Sequence, residues 1–188
     1  MASLKSRRCS VDRNAFSGDW SGTSAQPRTE LAQWLKENFQ IEMDEGRIFA
    51  GTFLFVEGIN REKAQATYHH FKRSLDREFY GKAAQRHAKG IKHVAVLEGG
   101  PDTSKNFHYH SIFVKPIDRM FSNDEFITVI KQQWTQMLKS MRYKAIASEV
   151  VPVTDLDGWV GYLTKSATKS KDSGLCFMDT LDPESLKL

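Results

Sequence analysis

The chain has 188 residues, with 27 Lys and Arg against 23 Asp and Glu, a formal net charge of +4 at pH 7, and enough length for one sizeable core. Cys9 and Cys176 stand far apart in polar segments, which excludes a disulfide framework and a cysteine-built metal site and points to a reducing compartment. No apolar run approaches the ~18 residues of a membrane span and the opening residues lack the apolar stretch of a secretory signal, so the expectation is a soluble cytoplasmic protein with no membrane partner.

Residues 1–28 are rich in Ser, Arg and Gly and carry little apolar periodicity, the pattern of a flexible arm that buries too little to offset ordering. From Thr29 the pattern turns helical: Leu31, Trp34, Leu35 and Phe39 recur on one face, with Thr29 available as an N-cap and Gly46 as a stop. Residues 47–57 are β-branched and aromatic and read as a strand. A helix is expected over 61–88, followed by a strand over 91–98, a polar turn-rich connection, and a strand over 107–115. Phe126, Ile127, Ile130, Trp134, Met137 and Leu138 predict a helix over 123–141 capped by Ser122, then a strand over 145–153 and a helix over 155–169 behind Thr154 or Asp155. The order β-α-β-β-α-β is the split βαβ, ferredoxin-like pattern: an α+β fold with a four-stranded antiparallel sheet, with or without an added strand, and extra helices at both ends. The expected division is an arm over 1–28, one domain over 29–175 and a tail over 176–188. Leu175, Phe177, Met178 and Leu181 give the C-terminal segment enough apolar character to dock.

Charge concentrates in 61–92, where nine Lys or Arg residues face three acids, so a polyanion would be attracted there unless this is simply a solvated helix face. The chemistry lies elsewhere. His108 and His110 are two apart in an apolar strand and therefore share a face. Two imidazoles and a carboxylate make a mixed nitrogen and oxygen site that leaves room for phosphate oxygens. Glu98 is the candidate carboxylate, because a hairpin after it would pair its strand antiparallel with the histidine strand, Val94, Val96 and Glu98 sharing one face. A glutamate there is costly unless it is ligated, paired or already at a solvated strand end. His69 and His70, adjacent on a helix, do not share a face, and His87 and His93 lack partners at ligand spacing.

The segment Gly158-Trp159-Val160-Gly161-Tyr162-Leu163-Thr164-Lys165 opens the last helix. Helical periodicity puts Tyr162, Lys165 and Lys169 on one side, with Val160, Leu163 and Ala167 free to face the sheet. Tyr162 is either a packing residue or a nucleophile. A phenol of pKa near ~10 needs help to act at neutral pH, and Lys165 can supply it by lowering that pKa or by steadying charge on a phosphate.

Together, His108-Tyr109-His110 in a strand, the later Tyr162-Leu163-Thr164-Lys165 and the β-α-β-β-α-β order resemble the HUH endonucleases of the single-tyrosine Rep class, the initiators of rolling-circle replication, over residues 47–170. The resemblance implies a divalent metal, Mg²⁺ or Mn²⁺, on His108, His110 and a third ligand assigned to Glu98. It implies attack by Tyr162 on a single-stranded DNA phosphodiester, giving a 5′-phosphotyrosine and a free 3′-OH that primes synthesis, with rejoining of the strand by the reverse reaction. Histidines ahead of the tyrosine favour Rep over conjugative relaxases, and no second tyrosine follows at one-turn spacing. Tyr109, bulkier and less apolar than is usual between the histidines, should point away from the metal face.

No Gly-x-x-x-x-Gly-Lys-Ser/Thr loop occurs, so the resemblance implies a nicking and joining module that acts on single-stranded DNA or an origin hairpin, with a helicase and polymerase from a host cell, most simply a bacterium carrying a plasmid or phage. The basic helix, Lys105, Arg119 and the N-terminal arm would contact phosphates, with binding that weakens as salt rises. A relaxase or transposase of the same chemistry is an alternative. So is a non-catalytic single-strand binder that stacks bases on Phe53, Phe55, Tyr109 and Phe113 of an open sheet.

Overall fold

The computed structural model describes residues 26–100, 105–144, 146 and 148–169, with side chains from residue 31 to 164 within those limits. Of the arm expected over 1–28, residues 1–25 lie outside them and 26–28 are helical instead; the segment 170–188 also lies outside them. The elements run α1 (Gln26–Asp44), β1 (Ile48–Leu54), α2 (Arg61–Tyr80), α3 (Lys82–Arg86), β2 (His93–Glu98), β3 (His108–Val114), α4 (Asn123–Ser140), β4 (Ser148–Pro152) and α5 (Leu156–Lys169). The sheet has the order β2-β3-β1-β4, and every neighbouring pair is antiparallel. This is the expected split βαβ arrangement, with β3 inserted between β1 and β2. No helix among the described residues is long and apolar enough to cross a membrane.

Alternation along the strands creates two apolar faces. Phe49, Phe53, Phe55, Ala95, Leu97, Tyr109 and Phe113 face α2 and α4, where they meet Tyr68, Phe71, Leu75, Phe126, Ile130 and Trp134. Ile48, Ala50, Val94, Val96, Ile112 and Val114 form the other face and meet Leu35 and Phe39 of α1 and Val160 and Leu163 of α5. The sheet is therefore covered on both sides. Phe53, Phe55, Tyr109 and Phe113 are completely buried, so the stacking platform expected of a single-strand binder is closed: Trp134 packs on Phe53 and Phe55 at 5.2 Å between ring centres.

Local signals explain the boundaries. Ser122 accepts from the Glu125 N–H while the Glu125 carboxylate accepts from the Ser122 N–H, a reciprocal cap that starts α4 where expected. Gly46, at φ +64°, ends α1; its N–H reaches the Met43 carbonyl and the Arg47 N–H the Glu42 carbonyl, the hydrogen bonding of a Schellman stop. At its other end α1 begins at Gln26 rather than behind a Thr29 cap, because Pro27 falls in the first turn, where a missing N–H breaks no helical bond. The single helix expected over 61–88 is two, α2 and α3, broken at Gly81 with φ +57° and ψ −130°.

The basic segment also divides. Lys72 pairs with Asp76 at 2.6 Å, Lys89 with Asp118 at 2.5 Å and Lys92 with Glu42 at 2.9 Å. Arg61 and Lys63 stand at one end of α2, and Arg77, Lys82 and Arg86 cluster toward the other.

Candidate metal and tyrosine site

The site forms where β1, β2 and β3 present one face at one end of the sheet. In the register His110 lies between Thr52 of β1 and Val96 of β2, and His108 between Leu54 and Glu98. Glu98 closes β2 next to Gly99, at φ +91°, and Gly100, at φ +131°. At Gly99 a side chain would run into the Asn106 carbonyl, and at Gly100 into the Phe107 ring. The Gly100 N–H bonds the Lys105 carbonyl at 3.0 Å, which closes the hairpin tightly enough to set Glu98 against the histidines.

Both Nε2 atoms look toward the same carboxylate oxygen: Glu98 Oε2 is 3.5 Å from His108 Nε2 and 3.4 Å from His110 Nε2. One ligand atom from each of the three residues falls within 4.8 Å of the others. The imidazoles are almost perpendicular, 4.7 Å between centres. His108 Nδ1 lies 2.8 Å from the Asn106 carbonyl, which can only accept, so Nδ1 carries a proton and Nε2 is the nitrogen left to face Glu98. His110 Nδ1 is 3.3 Å from Thr52 Oγ1. An outer hydrogen bond on the far nitrogen of each histidine is the usual support of a metal-binding imidazole. An imidazole lone pair directed at a carboxylate is repulsive, and either a proton on Nε2 or a metal ion between the two removes the repulsion. On that chemistry Glu98, His108 and His110 could hold a metal ion, as expected; oxygen and nitrogen donors of this kind suit several divalent ions.

Both histidines are buried, whereas the Glu98 side chain is 26% exposed, so the group opens on one side. Burial lowers the His110 pKa to about 4, helped by the neighbouring His108 and opposed by Glu98. His110 is thus neutral over the physiological range, the form that ligates.

Tyr162 reaches the same place from α5. The helix starts behind Asp155, whose carboxylate accepts from the Gly158 N–H at 2.9 Å, one of the two caps expected. Val160 and Leu163 are fully buried against the sheet while Tyr162 is 41% exposed. Its hydroxyl is 3.2 Å from His110 Nε2, and the two rings meet edge to face at 4.6 Å. Trp159, one turn earlier, lies edge-on to Tyr162 at 6.0 Å. Burial raises the phenol pKa above its ordinary value, and the Glu98 charge adds to this. Lys165 lies on α5, but its side chain is outside those described.

Thus Glu98, His108, His110 and Tyr162, expected together, are together. Tyr109 points to the opposite face, stacked on Tyr68 at 3.9 Å. Sequence reasoning missed Thr52, whose only visible signal was that it shares a strand face with Ile48 and Ala50. Lys105 sits in the hairpin beside the site, close enough to depress the His110 pKa electrostatically. Arg119 does not join it: it follows β3 at the far end of the sheet, 5.5 Å from the Tyr80 ring. Most of α2 likewise lies across the sheet from the site, leaving Arg61, 6.0 Å from the Phe107 ring, and Lys63 as its cations at the near end. The chain matches no protein-family model, no curated protein and no solved structure.

Proposed function

We propose that this protein is a divalent-metal-dependent nickase and ligase of single-stranded DNA that uses Tyr162 as its nucleophile and initiates rolling-circle replication. The observation that carries the reading is the meeting of a partly exposed phenol with a buried Glu-His-His group, its oxygen 3.2 Å from a candidate ligand nitrogen. A phenol used only for packing has no need of such a neighbour.

In this reading Glu98, His108 and His110 hold Mg²⁺ or Mn²⁺. The bound ion supplies Lewis-acid polarisation of a phosphate oxygen. Tyr162 Oη attacks phosphorus and forms the P–O bond of a 5′-phosphotyrosine; the bond from phosphorus to the 3′ oxygen breaks, and that oxygen leaves as a hydroxyl once protonated. Attack by a 3′-OH on the same phosphorus reverses the step and rejoins a strand. The phenol proton must be lost, yet burial and Glu98 hold its pKa up. Engaging Glu98 in ligation offsets the second of these causes, and Lys165 is proposed to assist by lowering the phenol pKa or steadying the phosphate. The 3′-OH would prime synthesis by a host polymerase, with unwinding by a host helicase at an origin strand or hairpin.

The test mixes the full chain with labelled single-stranded oligonucleotides and Mn²⁺, with and without chelator, and looks for a denaturation-resistant adduct. The expected result is a chelator-sensitive adduct that Tyr162→Phe abolishes while binding of the strand survives. An adduct that forms equally in Tyr162→Phe would overturn the assignment of the nucleophile, and binding without any adduct across a broad pool would favour a non-catalytic binder.

A further inference from the structure

His110 Nε2 has one lone pair in the neutral ring, and two claimants lie around it. Tyr162 Oη is 3.2 Å away, and Glu98 Oε2, with which the nitrogen would share a cation, is 3.4 Å away. Behind the ring, Thr52 Oγ1 is 3.3 Å from Nδ1, and the register places Thr52 directly opposite His110 on the neighbouring strand. If Nδ1–H donates to the threonine hydroxyl, Nε2 is left as an acceptor. The phenol then donates to it and is restrained by it. A hydrogen bond and a metal bond cannot both use that pair of electrons.

We infer that Thr52 is a positioning residue that holds His110 with Nε2 as acceptor, and that metal binding at Nε2 displaces the Tyr162 phenol, so loading the ion and releasing the nucleophile are one event. This rests on the nickase reading only for the use made of the freed phenol; the competition for Nε2 rests on the Glu-His-His group alone. The consequence is reciprocal. The ion must break a phenol hydrogen bond before it gains its ligand, so the tyrosine weakens metal binding, and removing its hydroxyl strengthens it.

The test measures Mn²⁺ binding to the full chain, without DNA, by titration calorimetry or by the electron paramagnetic resonance of free Mn²⁺. Tyr162→Phe is expected to bind Mn²⁺ about 2–10-fold more tightly than wild type, the equivalent of one net hydrogen bond. Thr52→Val, nearly the same shape without the hydroxyl, is expected to bind about 10–100-fold more weakly, the usual effect of removing an outer partner of a ligating histidine, and Thr52→Ser to restore wild-type affinity. Mn²⁺ should also change the phenol ultraviolet difference spectrum of wild type and not of Tyr162→Phe. Unchanged or weaker binding in Tyr162→Phe overturns the competition, and wild-type affinity in Thr52→Val overturns the positioning role. If Tyr162→Phe abolishes the DNA adduct while Mn²⁺ affinity stays at the wild-type value, the nickase reading stands and this inference falls.

Discussion

Glu98 is the residue on which the metal reading turns, because histidine pairs without a carboxylate make a weaker case for a hard divalent ion. Glu98→Gln keeps the shape and removes the charge, and His108→Ala removes one nitrogen donor. Both are expected to weaken Mn²⁺ binding at least tenfold by calorimetry; equal affinity in either variant would remove that residue from the ligand set. His93 poses the opposite problem. It is fully buried between Tyr68 and Phe113, and neither ring nitrogen meets a hydrogen-bond partner within good geometry among the described residues. Burial holds its pKa well below the ordinary value, with Lys72 and His69 acting in the same direction and the Ile91 backbone opposing them. The unfolded chain therefore takes up a proton below about pH 6.5 that the folded chain refuses, so stability is complete above that pH and declines as pH falls. His110 contributes with the same sign down to about pH 4. Urea unfolding from about pH 7.5 to about pH 5 should show this decline, and His93→Phe, which retains a flat stacked ring, should reduce its slope. An unaltered slope would assign the acid sensitivity elsewhere.

The hairpin between β2 and β3 is the element that makes the site. Gly99→Ala places a side chain against the Asn106 carbonyl at a backbone angle of φ +91° that alanine resists, and Asn106 is also the residue whose carbonyl orients His108. The variant should lose about 1–3 kcal/mol of stability by urea unfolding and bind Mn²⁺ more weakly; wild-type values for both would show that the turn does not set Glu98. The sequence made this element legible through alternation, because Val94, Val96 and Glu98 share one face of their strand, His108 and His110 share one face of theirs, and a hairpin that pairs the two strands brings these faces together. Thr52 was not legible in the same way. Its partnership with His110 depends on the pairing register of strands far apart in the chain, and a threonine in a strand is otherwise an ordinary β-former. The break at Gly81 was hidden because apolar residues continue at helical spacing on both sides of it.

Across the whole molecule, the β-α-β-β-α-β order was readable from the switches between two-residue and helical periodicity, but the side of the sheet on which each charge falls was not. The sequence grouped nine cations in one segment; the fold sends Arg61 and Lys63 to the site end and Arg77, Lys82 and Arg86 toward the other. A short single strand bound at the site should therefore depend on Arg61, Lys63 and Lys105. Alanine at these three is expected to reduce affinity and flatten its salt dependence by roughly 0.7 in the log–log slope for each phosphate no longer neutralised. Alanine at Arg77, Lys82 and Arg86 should change neither by fluorescence anisotropy, and an equal loss in both triple variants would mean that the strand wraps past the site end.

The candidate ligands all belong to one hairpin, between Glu98 and His110, whereas the tyrosine arrives on the last described helix. The Glu-His-His group and the phenol can therefore have different local stabilities. An opening that lifts α5 from α1 and the sheet would leave the ion bound while carrying Tyr162 away, and if the 5′ end of a strand were attached to that tyrosine, it would leave with the helix. The covalent intermediate would then be tethered to an element that moves apart from the ligands, and its return would set when the strand could be resealed.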